Sequence, residues 1–330
     1  MKELQVQYQK VLTDYIESQT ERNLYIGQNF IRQLIQKKVT PEEVISIHKQ
    51  AIEKLYPNLQ HDILHSYDFL IEIMVHFGLT LKEHESLLEQ QEEMRAEMIV
   101  AAKIQNMLLK TEKPKVDYID VGMVSIPVRD MNGDYVYVNE ENGCFNVAVT
   151  DVVGKGVPAA LCMSMVKYGL DTLKYSNSTP SYVLEVLNRI IEKSVDDSMF
   201  VSMFYGRYDH EKSLFTYGSA GHEPALYYNA EENRFYTLES KGLLLGVMDD
   251  VKYMQYDFPL RKGDFVVIMT DGVTEFRKNE HLDSREIIQY LAVSNLHLSA
   301  QEMCEVMYER LKELQDYLLQ DDFTIVIIKK

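Results

Sequence analysis

The sequence predicts two parts of different fold class, an N-terminal all-α helical bundle and a C-terminal layered α+β sandwich, joined by one long helix. Three observations carry this. Apolar residues recur at helical spacing through residues 1–84, where Gly27, Gly78, Pro41 and Pro57 are the only glycines and prolines. Residues 85–110 hold no Gly or Pro and are almost all strong helix formers. From Tyr118 onward, short β-prone runs alternate with turns rich in Gly and Asp.

The bundle follows from three stripes. Leu24, Phe30, Ile31, Leu34 and Ile35 make the first, and Val44, Ile45, Ile47, His48, Ile52 and Leu55 the second. The second is preceded by Thr40-Pro41-Glu42-Glu43, a helix start with Thr40 as N-cap, Pro41 at the first helical position and Glu43 completing a capping box. The third spans residues 63–81, with Leu64, Phe69, Leu70, Ile73, Met74, Phe77 and Leu81. His61 and His65 share a helix face but lack the intervening Glu of a zinc-protease helix, so no metal site is read there. A bundle of this size reads as a docking or dimerisation module.

In the linker, Leu87, Met94, Ala101 and Leu108 repeat every seven residues, while the matching d positions are Gln90, Glu97 and Ile104, a weak coiled-coil pattern. Its second half, residues 98–109, is broadly apolar and needs a covering surface. The resulting boundaries are 1–84 for the bundle, 85–112 for the linker helix and 113–330 for the sandwich. Within the sandwich, residues 118–128, 145–150, 200–208, 213–219, 265–269 and 323–328 read as strands, and residues 158–173, 180–195 and 300–319 as helices, the first two opened by Pro158 and Pro180.

Charge and cysteine content narrow the function. The formal net charge is −17, distributed as −2 over residues 1–84 and −15 over the remainder. Such a chain is a poor nucleic-acid or polybasic membrane-surface binder. The cysteines, Cys144, Cys162 and Cys304, suit neither a disulfide framework nor a zinc site. The N-terminus lacks the apolar run of a signal peptide, so a reducing cytosol is the expected location.

Chemistry is expected at strand ends. Four turns carry aspartate: Asn132-Gly133-Asp134, Thr150-Asp151-Val152-Val153-Gly154-Lys155-Gly156, Thr270-Asp271-Gly272, and Asp321-Asp322-Phe323-Thr324. Hard divalent cations take oxygen ligands, and carboxylates on short turns at the tips of a rigid sheet suit them. Two such ions about 3.5–4 Å apart would present a hydroxide to phosphorus. Gly154-Lys155-Gly156 lacks the spacing of a phosphate loop, and its glycines serve the tight turn behind Asp151. His222, in Ser219-Ala220-Gly221-His222-Glu223-Pro224, is read mainly as a turn residue.

The order of these motifs, GDY, DVVGKGVPAAL, SAGHEP, TDGVTE and DDFT, resembles the metal-dependent PPM serine/threonine phosphatases in their bacterial SpoIIE-like branch. With the helical region and linker included, nearly the whole chain is similar to the RsbU-type regulatory phosphatases of the sigma-B general stress response. The resemblance implies an α-β-β-α sandwich and a protein serine phosphatase using two Mn²⁺ or Mg²⁺ ions. Carried over by position, it places Asp134 and Asp151 on the shared metals, with the carbonyl of Val152. Asp271 and Asp321 complete the second site, and Asp322 is the alternative to Asp321. Gly-Gly-Asp is replaced here by Asn132-Gly133-Asp134 and Ser-Asp-Gly by Thr270-Asp271-Gly272, with the carboxylate kept in both. Arg129 is the candidate substrate-phosphate contact. The implied substrate is a phosphorylated anti-anti-sigma factor of the RsbV type. The implied partners are a kinase-like activator of the RsbT type at the bundle and a second copy of the chain. The competing expectations are a non-catalytic phosphoprotein-binding adaptor and a phosphohydrolase of small molecules.

Overall fold

The computed structural model describes residues 2–37, 39–58, 60–128, 131–154, 156–174, 178–194, 199–275, 284–315 and 319–330. It divides into two compact units, residues 1–95 and 96–330. Among the described residues no helix is long and apolar enough to cross a membrane.

The first unit is helical: α1 (Lys2–Glu17), α2 (Glu21–Gln36), α3 (Pro41–Leu55) and the start of α4 (His61–Leu108). The Glu43 carboxylate accepts the Thr40 N–H at 3.0 Å, as the capping box requires. From the second stripe Ile47 is buried, together with Ala51; from the first, Phe30 and Leu34 form a core with Leu4. The side chains of Leu24, Ile31, Ile35, Leu64 and Phe69 lie outside the described set. The third stripe and the linker, read separately from sequence, are one 48-residue helix, because nothing between Ile63 and Leu108 breaks it.

A polar bridge ties three helices of this unit. His48 on α3 meets the Tyr8 hydroxyl of α1 through Nδ1 at 2.8 Å and the Tyr67 hydroxyl of α4 through Nε2 at 3.1 Å. Burial lowers the His48 pKa from the ordinary 6.5, so the neutral ring is the one the fold favours. The stability it contributes is present above pH 6.5 and is lost as pH falls through the lowered value. Unfolding measured between pH 7 and pH 5 should show the helical unit weakening on acidification, and His48→Gln should flatten that dependence. An unchanged pH profile in the variant would contradict the bridge.

The second unit is a four-layer sandwich. One antiparallel sheet runs β1 (Asp120–Ile126), β10 (Phe323–Lys329), β9 (Phe265–Met269), β6 (Ala225–Asn229) and β7 (Arg234–Leu238). The other runs β2 (Asp134–Glu141), β3 (Cys144–Val153), β4 (Phe200–Asp209), β5 (Leu214–Ala220) and β8 (Tyr256–Pro259). The facing sheet surfaces share a core of Phe145, Val147, Phe204, Phe215, Val266, Ile268, Val326 and others. The outer face of the second sheet packs under α5 (Val157–Leu173) and α6 (Pro180–Glu192). That of the first packs under α8 (Ser284–Ser294) and α9 (Ala300–Leu314), with the short α7 (Asp271–Thr274) at the end of β9. This is the α-β-β-α arrangement the sequence predicts.

Candidate active site

Pairing register places the carboxylates. In the β2–β3 ladder Asp134 lies opposite Asp151, and in the β3–β4 ladder Asp151 lies opposite Ser202, so one row of residues crosses the end of the second sheet. In the other sheet, Asp271 follows β9 and Asp321 precedes β10, which are neighbours. Gly272 makes that close approach possible: a Cβ there would sit 2.1 Å from the Asp322 carbonyl oxygen.

Asp151, Val152, Asp271, Asp321 and Asp322 line one cleft of about 370 Å³, together with Met98, Met131, Asn132, Gly133 and Gly154. Asp134 is turned aside. It is 3% exposed, accepts the Thr270 hydroxyl at 2.8 Å, and lines an adjoining cleft of about 280 Å³ with Gln105, Ser125 and Asn132. Among the described residues, no three acidic, imidazole or thiol groups come close enough to hold an ion. Arg129 and Lys155 lie outside the described residues.

The two aspartates of the last motif have different surroundings. Asp322 accepts the Val128 N–H through Oδ1 at 2.7 Å and the Gly133 N–H through Oδ2 at 2.5 Å, which pins the segment ahead of Asp134. Asp321 accepts only the N–H of its neighbour Asp322 among the bonds seen, at 3.0 Å, and lies on the cleft wall.

Electrostatics set the character of the site. Burial holds the Asp134 carboxyl well above the ordinary range; the Thr324 hydroxyl opposes, the Asp151 charge adds, the Thr270 hydroxyl opposes and Asp322 adds. Asp271 is raised by burial and then by Asp321 and Glu275, against the Gly272 N–H. None of the described cleft-lining residues is basic. Such crowded carboxylates destabilise one another until a cation joins them. The donor set is all oxygen, which suits Mg²⁺ or Mn²⁺ better than a thiolate- or imidazole-seeking metal.

Four supporting residues have no role assigned from sequence: Asn132, Thr270 and Thr324 stand inside the aspartate motifs, and Gln105 lies outside them. Thr270 and Thr324 exchange backbone and hydroxyl bonds at 3.1 and 3.2 Å, and through Thr270 they carry Asp134 across from the opposite sheet. Asn132 accepts the Asp134 N–H on its side-chain oxygen at 2.9 Å. Gln105, on α4, grips that same residue: its Nε2 donates to the Asn132 carbonyl at 2.8 Å and its Oε1 accepts the Asn132 N–H at 3.2 Å. Around it, Ala102 packs with Met131 and Ala160, flanked by Met98 and Ala101. The end of α4 therefore holds the Asn132-Gly133-Asp134 turn directly.

His222 is buried: its Nδ1 bonds the Ser202 hydroxyl at 2.8 Å, its backbone N–H donates to the Ser219 hydroxyl at 3.2 Å, and burial pushes the imidazole down to about 4, which favours the neutral ring.

Two family profiles match the chain: Stage II sporulation protein E (SpoIIE) over residues 141–330, and Phosphoserine phosphatase RsbU, N-terminal domain, over residues 6–80. Phosphoserine phosphatase RsbU of Bacillus subtilis (strain 168) is 44% identical over 327 residues, 99% of this chain and 98% of that protein. The chain belongs to the RsbU-type phosphoserine phosphatases of the SpoIIE family. As an RsbU-type phosphatase it is a protein serine/threonine phosphatase. The fold is that of the SiaA-PP2C domain of Pseudomonas aeruginosa, with a TM-score of 0.62 at 17% identity over 73% of this chain and 98% of that one. It is also that of the catalytic domain of serine/threonine protein phosphatase PstP, solved in complex with 2 manganese ions, with a TM-score of 0.50 at 15% identity over 64% of this chain and 97% of that one.

Proposed function

We propose that this RsbU-type phosphatase hydrolyses the phosphoserine of an anti-anti-sigma factor in the sigma-B stress pathway, using two divalent ions, Mn²⁺ or Mg²⁺. The observation that carries the reading is the convergence of mutually repelling carboxylates from both sheets on one cleft, with no basic residue among its described lining. Asp134, Asp151, the Val152 carbonyl, Asp271 and Asp321 would hold the ions. Asp321 is assigned over Asp322 because both Asp322 oxygens are committed to backbone N–H groups.

In the reaction, the oxygen of water bonds to phosphorus as the bond from phosphorus to serine Oγ breaks, and a proton restores the serine hydroxyl. The ions, when bound, supply a water of lowered pKa and neutralise charge on the phosphoryl oxygens. The chain's own groups position this chemistry. Thr270 and Thr324 orient the Asp134 carboxyl, Asp322 fixes Gly133 and Val128, and Gln105 sets the backbone of Asn132. Hydrolysis should disappear in a chelator and return with Mn²⁺, with ion uptake followed by calorimetry in the same buffer. Hydrolysis that survives chelation would sink the metal assignment.

Regulation enters through α4. A kinase-like activator binding the N-terminal helical unit, and a second copy of the chain meeting the exposed Leu87, Met94 and Leu108 of the seven-residue repeat, would bias the position of this helix. Because Gln105 grips Asn132 from both sides, a shift of α4 moves the turn that bears Asp134. Activation requires that the partner favour the arrangement in which Asp134 joins the other carboxylates. Gln105→Ala removes two hydrogen bonds worth about 1 kcal/mol each. Partner-stimulated hydrolysis should then fall by about tenfold to thirtyfold. Equal stimulation in the variant and the parent would rule out this route.

A further inference from the structure

The cleft presents carboxylates, and none of its described lining residues offers a fixed cation to a phosphoryl group. A phosphoserine side chain is also short, so the surface around it on a folded protein must rest on the cleft's rim. The rim on the side of the second sheet has an unusual build.

Val152 and Val153 end β3 against Val201 and Phe200 of β4, and Val201 is bridged in turn to Leu245 by two backbone bonds of 3.1 and 2.9 Å. Met199 links the same two places: a Cβ on Gly154, a cleft residue, would lie 4.0 Å from its Cγ, and one on Gly246 would lie 3.5 Å from its carbonyl oxygen. Residues 242–248 therefore flank the cleft. The segment is firmly held. Leu245 is fully buried, and the buried Asn188 accepts the Gly246 N–H at 2.9 Å while donating to the Met248 carbonyl at 2.8 Å.

On this fixed backbone Leu243, Val247 and Met248 are 47%, 42% and 58% exposed, and Val153 beside the cleft is 48% exposed. Apolar side chains displayed together on a clamped segment are a contact surface that loses little entropy on binding. We infer that Leu243, Val247 and Met248, continued by Val153, form the docking platform for the apolar surface surrounding the phosphoserine of the phosphoprotein substrate. The inference rests on the proposed function, and it identifies where recognition of a protein, as opposed to a bare phosphoester, arises. The occupant is the substrate because Val153 lines the cleft that its phosphoserine must enter, and residues 242–248 adjoin that wall through Val201 and Met199.

The test uses the full chain carrying Leu243→Ser, Val247→Ser and Met248→Ser together, and separately Val153→Ser. Two quantities are read with serine-phosphorylated anti-anti-sigma protein: KM with Mn²⁺ present and Kd in chelator. Hydrolysis of para-nitrophenyl phosphate is measured alongside. The triple variant should raise KM and Kd by about tenfold or more, with para-nitrophenyl phosphate turnover within about twofold of the parent. Val153→Ser should shift them in the same direction by less. Tyr290→Ser, a 72%-exposed position on α8, should change none of these. Unchanged KM and Kd in the triple variant would overturn the platform. If the parent hydrolyses neither substrate, the enzymatic reading fails, and the Kd comparison still decides the docking surface.

Discussion

Asp134→Asn is expected to lower phosphoserine hydrolysis by about a thousandfold while leaving the protein at least as stable as its parent. The two effects have one cause. Asp134 is 3% exposed and its carboxyl is held well above the ordinary range by burial, with the Asp151 and Asp322 charges adding to it. A neutral amide of the same shape still accepts the Thr270 hydroxyl and no longer repels those neighbours. Its cost falls on catalysis, where losing one anionic metal contact removes several kcal/mol of transition-state stabilisation, each 1.36 kcal/mol being about tenfold in rate. Such a separation of stability from activity marks a group retained for chemistry. Turnover and thermal unfolding measured on the same preparation check it. Full activity in the variant would remove Asp134 from the metal site, and a large loss of stability would mean the carboxylate is structural.

Gly272→Ala is expected to cost both activity and stability. The added methyl would lie 2.1 Å from the Asp322 carbonyl oxygen, 3.0 Å from its carbon and 3.3 Å from that of Asp321, all backbone atoms with no rotamer to yield. The turn carrying Asp271 must then part from the turn carrying Asp321, which separates two proposed ligands. Overpacking of this kind costs typically about 1–3 kcal/mol. The geometric loss at the site should add a fall in turnover of about a hundredfold. Gly27→Ala is the comparison: its methyl would meet only Val11 Cγ1 at 4.0 Å within helix α2, so a neutral or slightly stabilising result is expected. Wild-type turnover in Gly272→Ala would show that the two turns need not touch.

Much of the fold was legible because its signals are local. Thr40 with Glu43, and Pro180, each mark a helix start that the structure bears out. Phe265–Met269 is a continuous apolar run buried on both faces, and residues 323–328 form another but for the buried Thr324. β2 is obscured at both ends: Asp134 belongs to the Asn132-Gly133 turn and Asn139-Glu140-Glu141 is polar, so only the four β-prone residues 135–138 stand between them. Its alternation is nonetheless real: Val136 and Val138 enter the core between the sheets, while Tyr135 and Tyr137 face α5 and α6. β6, β7 and β8 span only four or five residues each, too short to show a period.

The aspartates were legible for another reason, since each sits where a strand meets a Gly- or Asp-bearing turn. Their arrangement was not. That Asp134 is drawn toward Thr270 while Asp151, Asp271 and Asp321 line the neighbouring cleft depends on how two sheets stack. Gln105 was hidden similarly. It is a polar residue in the apolar half of a helix, and its partner is the backbone of Asn132, which leaves no trace in side-chain pattern. The apolar stretch of residues 98–109 is covered only in part: Met131 and Ala160 pack on Ala102, Met98 and Ala101, while Ile99, Val100, Ile104, Met107 and Leu108 stay exposed.

The central claim is a metal-dependent phosphoserine phosphatase whose cleft is assembled through α4. It is tested most directly by phosphate release from a serine-phosphorylated anti-anti-sigma protein, measured with and without Mn²⁺ and with and without the kinase-like partner. The account predicts release that requires the ion and rises steeply with the partner, the rise being lost when residues 1–84 are deleted. No release under any condition while the partner remains bound, or stimulation that survives the deletion, would contradict it.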